Sequence, residues 1–539
     1  MKYSKAILFI TIIIIIAFYA CYPLSIGSLK WRIKWDKNMI KGKKAFLKET
    51  TTPNSQKPNI VLIIADDLGK YEVSAYEGVD YISTPNIDAI GNEGVVFEEA
   101  YVTAPTCAPS RAGIMTGRVQ NRYGYETQIM EYYPSNFIEY LTGKFLTNTG
   151  DFVLRTKPVY PREWEILKQG VPPSEINLAE ILKKNGYTTG VTGKWHLGES
   201  QKHIPLKRGF DYQYGFYGAF SWYTPQEVTN GVVNFYHDNY SAKYQWRSGR
   251  NEGGAIREQG KIIKEKEYLT FAIKDRALNF IDENKDKPFF LYCSFSAPHE
   301  PFQAPVDYYA KYMHIKDENK RVYYAMISAL DDAVGEIHQK LKDEGLEENT
   351  IIYFISDNGG ATYTGATTNG PLKGGKLTQF EGGINVPFMM KWKNHIPQGL
   401  RYTYPVSSTD IFTTTILNIG GQLPTDREYD GVNLLPYLTN EIDTQPHQLL
   451  FWRADHIWAL RDGDYKMILS TKDGWAELYN LKTDKSEKYN LREQMPDLFI
   501  TLYNKHKEWQ NNYLPKKPMW PRIMDHKFII DGKEYLFPA

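Results

Sequence analysis

The sequence predicts an α/β protein: a doubly wound, mixed but mostly parallel sheet, followed by a smaller α+β subdomain. Three observations lead there. Short continuous apolar runs, such as NIVLIIADD and TIIYFISDNGG, suit strands buried on both faces. Amphipathic helical stretches alternate with those runs, as crossover connections require. The runs also end in charged residues, as expected where strand ends open on a ligand crevice.

The composition supports one large core and a smaller one: 539 residues, 42% hydrophobic and 24% charged. Lys plus Arg number 64 against 63 for Asp plus Glu, a formal charge of +1, so no field draws in nucleic acid and none is expected as a partner. Cys21, Cys107 and Cys293 are the only cysteines, which excludes a disulfide framework.

In chain order, Lys2 and Lys5 precede an apolar run, Ala6 to Ala20, broken only by Thr11. It reads as a signal-peptide core, or as a membrane anchor if extended to Gly27. Ser25 and Gly27 have the small side chains a cleavage site needs, and Cys21 after Ala20 offers a lipid-acceptor alternative beside the bulky Phe18 and Tyr19. Eight Lys or Arg residues between Lys30 and Lys48 count against a simple anchor with its amino terminus inside. The expectation is a signal peptide or anchor over residues 1–27, a basic linker over 28–57, the large α/β domain over 58–423 and an antiparallel-sheet subdomain over 424–539. The protein is expected to be exported: periplasmic, secreted or attached to a membrane.

The first apolar strand runs from Ile60 to Ala65 and meets Asp66 and Asp67. In TCAPSRAGIMTGR, Cys107 stands before Pro109 and Ser110, helix-start residues, with Arg111 one turn on. A lone cysteine is usually a small buried hydrophobe, but a helix N-terminus beside a guanidinium also suits an anion or an activated nucleophile. A helix over Asn177–Asn185, with Asn177 and Glu180 as a capping box and Gly186 as terminator, leads into YTTGVTGKWH, which ends at Lys194 and His196. PFFLYCSFSAPH ends at His299, with Cys293 in the core, and TIIYFISDNGG ends at Asp357 and Asn358. Between them, the stripe Ile327, Leu330, Val334, Ile337 and Leu341 leaves Asp331 and Asp332 on a wet helix face. From His447 onward, short strands at Leu449–Trp452 and Tyr465–Ser470 precede a helix near Pro496–Gln510.

Asp66, Asp67, Asp357 and Asn358 are hard oxygen ligands suited to Ca²⁺ or Mg²⁺ rather than Zn²⁺. Arg111, Lys194, His196, His299 and Lys376 add cations and donors. A divalent cation among so many positive groups implies a compact oxyanion substrate, sulfate or phosphate. Cys107 is then the candidate nucleophile, yet a thiolate is soft beside a hard metal.

These residues resemble the formylglycine-dependent sulfatases of the alkaline phosphatase superfamily. CAPSR followed by AGIMTGR resembles their modification signature. GYTTGVTGKWHLG, SAPHEPF, SDNGG and GGKLTQFEGGINVP resemble further family motifs, and WALRDGDYKMI and ELYNLKTDKSEKYNL later segments. Thr192 stands where a smaller or aliphatic residue is commoner, and Asn385 where Arg is. The likeness spans Pro58 to Trp509.

The resemblance implies that a formylglycine-generating or sulfatase-maturating enzyme oxidises Cys107 to formylglycine (3-oxoalanine), whose hydrate offers a hard oxygen nucleophile and removes the mismatch. It further implies one Ca²⁺ held by Asp66, Asp67, Asp357, Asn358 and the modified Cys107, with Arg111 steadying the hydrate. Lys194, His299 and Lys376 would grip sulfate, and His196 would take the proton when the sulfated intermediate collapses. Lys376, rather than Lys373, has the family's spacing to Glu381-Gly382-Gly383. A phosphomonoester or phosphonate-ester hydrolase on the same fold, or a non-catalytic glycan-binding protein, are the alternatives.

The expected substrate is a sulfated oligosaccharide from a polysaccharide. Between Tyr212 and Trp246, 12 of 35 residues are aromatic, and Asn230, Asn234, His237, Asp238 and Asn239 interrupt them. Flat rings mixed with hydrogen-bonding groups suit sugars, and Trp222 and Tyr223 are the expected platform.

Overall fold

The computed structural model describes residues 2–21, 33–49, 57–78, 81–130, 141, 151–154, 163–236, 246, 249–522 and 524–539. At its centre is a ten-stranded sheet. Its five middle strands, in spatial order Thr350–Ser356, Asn59–Asp66, Phe289–Pro298, Thr188–Lys194 and Tyr212–Phe216, are all parallel. Antiparallel strands at Phe388–Lys391 and Arg257–Glu258 flank them, so the sheet is mixed as expected.

Alternation along the central strand assigns its two faces. Ile60, Leu62 and Ile64 share a core with residues of the helices Cys107–Thr116, Leu178–Lys184 and Asp410–Asn418. Val61, Ile63 and Ala65 face a second core with the helices Pro85–Asn92, Leu269–Asn284 and Glu318–Asp343. The sheet is thus covered on both sides, which its unbroken apolar strands demand. The capping box at Asn177 and Glu180 is present.

Register levels the strand ends. Gly193 pairs with Ser294, Ala65 pairs with Ser356, and Asp66 pairs with Pro298 across an irregularity after Ile64. Lys194, Asp66, Asp67, His299 and Asp357 therefore leave the sheet along one edge.

Asp331 departs from its expected wet face. It is buried, and its carboxylate accepts the backbone N–H groups of Asn86 at 3.1 Å and Ile87 at 2.8 Å. It thereby satisfies orphan donors of the helix Pro85–Asn92, for which Thr84 makes no side-chain cap. The stripe pattern marks the helix face but not a neighbouring helix end abutting its edge.

The C-terminal strands Leu449–Ala454, Ile457–Asp462, Tyr465–Ser470 and Ala476–Asn480 form an antiparallel meander covered by the helix Pro496–Tyr513. A three-stranded sheet, not anticipated, joins Phe152–Leu154 to Met524–Ile530 and Lys533–Pro538. Within the segment read as a linker, residues Lys37–Lys48 form a helix docked on the body. The amino-terminal run forms the helix Lys2–Cys21. Among the described residues no helix is long and apolar enough to cross a membrane. Ser25 and Gly27 lie outside the described residues.

Candidate active site

Cys107 is the first residue of the helix Cys107–Thr116, every residue of which is buried. Thr106 is extended before it, and Gly117, at φ 66°, stops it in the left-handed conformation that glycine tolerates best. The Cys107 sulfur lies 3.4 Å from Asp66 Oδ1 and 3.8 Å from Asp67 Oδ1. One turn later, Arg111 Nε donates to Asp357 Oδ2 at 2.7 Å, and its Nη1 donates to Ser294 Oγ. The short helix thus delivers the Cys107 sulfur and the Arg111 guanidinium to the same strand ends.

Four more cationic or basic groups converge. Lys194 Nζ is 2.6 Å from Asp66 Oδ2, and Lys376 Nζ is 2.8 Å from Asp67 Oδ2. His299 Nε2 is 3.5 Å from that same Asp67 oxygen, with its Nδ1 held by the Glu300 carbonyl. His196, fully buried at φ 54°, has neither ring nitrogen hydrogen-bonded. Asn358 Nδ2 donates to Asp67 Oδ1 at 2.7 Å.

The electrostatics follow from burial. Burial alone would raise Asp66 and Asp67. Lys194, His299 and Arg111 around the first, and Lys376 and His299 around the second, instead hold both below the usual carboxylate range. Asp357 goes the other way, pushed up by burial and by the charge of Asp66 despite Arg111. The Cys107 thiol is pushed up by burial and by Asp357 and Asp66, so the unmodified residue is a poor thiolate. Burial, then Lys194, Arg111 and Lys376, drive His196 well below the ordinary imidazole range, which keeps it neutral.

Asp66, Asp67, Cys107 and His299 each offer a ligand atom close enough to share one metal ion. The donor chemistry fits a hard divalent cation. Three carboxylates are buried together, one of them raised by another's charge, and the buried Asn358 Oδ1 has no hydrogen-bond partner. The structure therefore brings all ten candidate residues of the sequence together at the carboxyl edge of the sheet. It also separates the competing lysines: Lys373 Nζ points away, to Tyr479 Oη at 3.0 Å and Glu477 at 3.5 Å.

Several supporting groups escaped the sequence. Tyr292 and Ser294 flank Cys293, on the strand face opposite to it, and both reach Arg111. The period-2 pattern of PFFLYCSFSAPH carried that signal. Tyr323 Oη donates to the Asp67 carbonyl at 3.2 Å, with no local signal. Glu381 is gripped by Lys466 at 2.7 Å, and its backbone N–H by Glu487 at 2.7 Å, so the C-terminal sheet clamps the loop that carries Lys376. Asn385 accepts from Lys70 and donates to Glu381, a bracing role.

The sugar platform divides. Tyr223 is fully buried, and its hydroxyl is shared between the Ser296 and His299 carbonyls at 2.7 and 2.9 Å, so it supports the histidine loop. Trp222 lines a separate cavity of about 360 Å³ with Trp246, Arg250 and Lys264. His237, Asp238 and Asn239 lie outside the described residues.

Acidic and cationic side chains thus gather at the carboxyl edge of a sheet covered on both faces, with Cys107 beside them at a helix N-terminus. The sulfatase family model matches residues 58–421. The chain is 33% identical to rat N-acetylgalactosamine-6-sulfatase over 435 residues, covering 78% of this chain and 73% of that protein. It is 28% identical to human arylsulfatase D, over 77% of this chain and 74% of that one. Among solved structures, Ps i-CgsB in complex with k-i-k-neocarrahexaose superposes with a TM-score of 0.70 at 32% identity, covering 86% of this chain and 94% of that one. The chain belongs to the sulfatase family and is a sulfuric ester hydrolase.

Proposed function

We propose that the protein removes sulfate from a carbohydrate, an oligosaccharide of a sulfated polysaccharide, with a nucleophile made from Cys107. The observation that carries this reading is the Cys107 sulfur at a helix N-terminus, 3.4 Å from Asp66 and ringed by Arg111, Lys194, His299 and Lys376. The carbohydrate assignment draws support from rat N-acetylgalactosamine-6-sulfatase and from Ps i-CgsB bound to neocarrahexaose. Export, favoured by the Ala6–Ala20 run, suits an external polymer.

Oxidation of Cys107 to formylglycine by a maturation enzyme would substitute an oxygen nucleophile for a suppressed thiol. Asp66, Asp67, Asp357 and Asn358 would hold Ca²⁺, which supplies charge stabilisation at the reacting oxygens. Lys194 and Lys376, paired with Asp66 and Asp67, are the cations available to sulfate oxygens. His299, its Nδ1 tied to the Glu300 carbonyl, turns Nε2 toward the crevice to assist the leaving alcohol. His196, neutral and unpartnered, would accept the proton in the step that frees sulfate. Arg111 ties the nucleophile's helix to Asp357.

Sulfate release from a panel of defined sulfated oligosaccharides, with peptide mass spectrometry of residue 107, tests the reading. An aldehyde in place of the thiol is expected, with sulfated saccharides turned over faster than matched phosphate monoesters. Full activity of Cys107→Ala, or a preference for phosphate, overturns it.

A further inference from the structure

The helix Lys37–Lys48 has two unlike faces. Asp36 caps its start, accepting from Asn38 and Met39 backbone N–H groups at 2.8 and 3.1 Å. One face is fixed to the body: Lys43 is buried and donates to Glu180 Oε1 at 2.6 Å and the Glu175 carbonyl at 2.8 Å, and Phe46 and Leu47 pack on the core. At 3.6 residues per turn, Lys37, Lys41, Lys44 and Lys48 fall within a narrow stripe on the opposite side, and all four are exposed. The segment's ion pairs belong to Lys43 and to Glu49, which meets Lys184; none of the stripe's lysines forms one among the described residues.

Such a stripe is unfavourable in water. Lysines spaced three and four apart repel each other, with no acid at the alternating positions to relieve them. A rigidly mounted, uncompensated cationic ridge fits a surface of opposite charge. The chain indicates which one. Upstream, the helix Lys2–Cys21 leaves Ile7 and Ile14 on one side and Phe9 and Ile16 on the other at least 61% exposed, an apolar rod that hydrocarbon would cover well. Fourteen residues separate Cys21 from Asp36, a reach of up to about 50 Å. A soluble anionic polymer would meet the lysines but leave the isoleucines in water.

We propose that Lys37, Lys41, Lys44 and Lys48 form the face on which the enzyme rests against an anionic phospholipid surface, with the apolar helix embedded in the same membrane. The apolar helix gives adhesion to any bilayer. The stripe adds the preference for negative headgroups and fixes which side of the catalytic body faces the lipid.

The full chain is floated with vesicles of phosphatidylcholine alone and of phosphatidylcholine with 30 mol% phosphatidylglycerol. Expected is a preference of about tenfold or more for the anionic vesicles at low salt, collapsing at high salt. In the quadruple variant K37Q/K41Q/K44Q/K48Q that preference disappears, while binding to neutral vesicles and turnover of a soluble aryl sulfate stay as in the parent. Equal partition of the parent chain between the two vesicle types, or an anionic preference that survives in the variant, overturns the proposal. So does retention of dextran sulfate by the stripe without any phosphatidylglycerol preference, which would make the ridge a polymer-binding face.

Discussion

Among the described residues two clusters gather metal-capable side chains, one buried throughout and one partly exposed, and their cations are placed differently. Asp66, Asp67, Cys107 and His299 converge at the carboxyl edge of the sheet; Glu93, His338 and Glu347 converge beside the strand Phe388–Lys391. In the second cluster the cation is already covalent. Lys391 Nζ lies among all three groups, 2.7 Å from His338 Nε2 and 2.5 Å from Glu347, and also donates to Glu93. In the first, the cations stand around the rim, while His196, Asn358 Oδ1 and Arg111 Nη2 are left without hydrogen bonds. The second cluster satisfies its own members, whereas the first leaves buried polar atoms without a protein partner.

The largest expected effect breaks the two clusters separately. Asp357→Ala should lose bound metal, read by elemental analysis, and at least about a thousandfold in turnover, with the folded state retained. Lys391→Met should leave turnover within about twofold but lower unfolding free energy by about 1 kcal/mol in denaturant titration, since the part-exposed Glu93 and Glu347 lose their buried cation but keep Lys342 and Lys393. Stoichiometric metal in the first variant, or lost activity in a folded second one, would erase the distinction.

A smaller effect is pH-dependent. Burial, then the Lys391 and Lys342 charges, lower His338 to about 4, against about 6.5 when unfolded. The folded state therefore favours neutral imidazole. Its contribution is complete above pH 6.5 and is lost as pH falls through about 4. His338→Gln should flatten stability against pH across that window by on the order of 2 kcal/mol; an unchanged slope would show that other groups set it.

The smallest effect concerns Tyr223 and Trp222. Tyr223→Phe removes only the hydroxyl shared by the Ser296 and His299 carbonyls, and should lower kcat/KM by about tenfold or less, equally on aryl and saccharide sulfates. Trp222→Ala should spare the aryl sulfate and impair the saccharide. Equal losses in the Trp222 variant would make that ring part of the core.

The sequence by itself determined the strand ends and what they carry. Asp66, Asp67, Lys194, His299, Asp357 and Asn358 were legible because a strand buried on both faces must be apolar throughout, so each charged terminus stands out. CAPSR was legible because helix-start chemistry is local. The C-terminal meander and its helix were legible for the same reason, since their pairings are between chain neighbours.

Only the tertiary structure decided the rest. Asp331 looked wet because helical periodicity describes one helix and not the helix end that meets it. Tyr223 looked like a sugar platform because aromatic composition does not distinguish a ring facing solvent from one whose hydroxyl is tied beneath the His299 loop. The clamp of Lys466 and Glu487 on Glu381, and the strand Phe152–Leu154 added to the C-terminal sheet, join residues far apart in the chain. Such contacts leave no periodic trace: each partner alone is an ordinary polar or apolar residue, and only the closed fold brings it a complement.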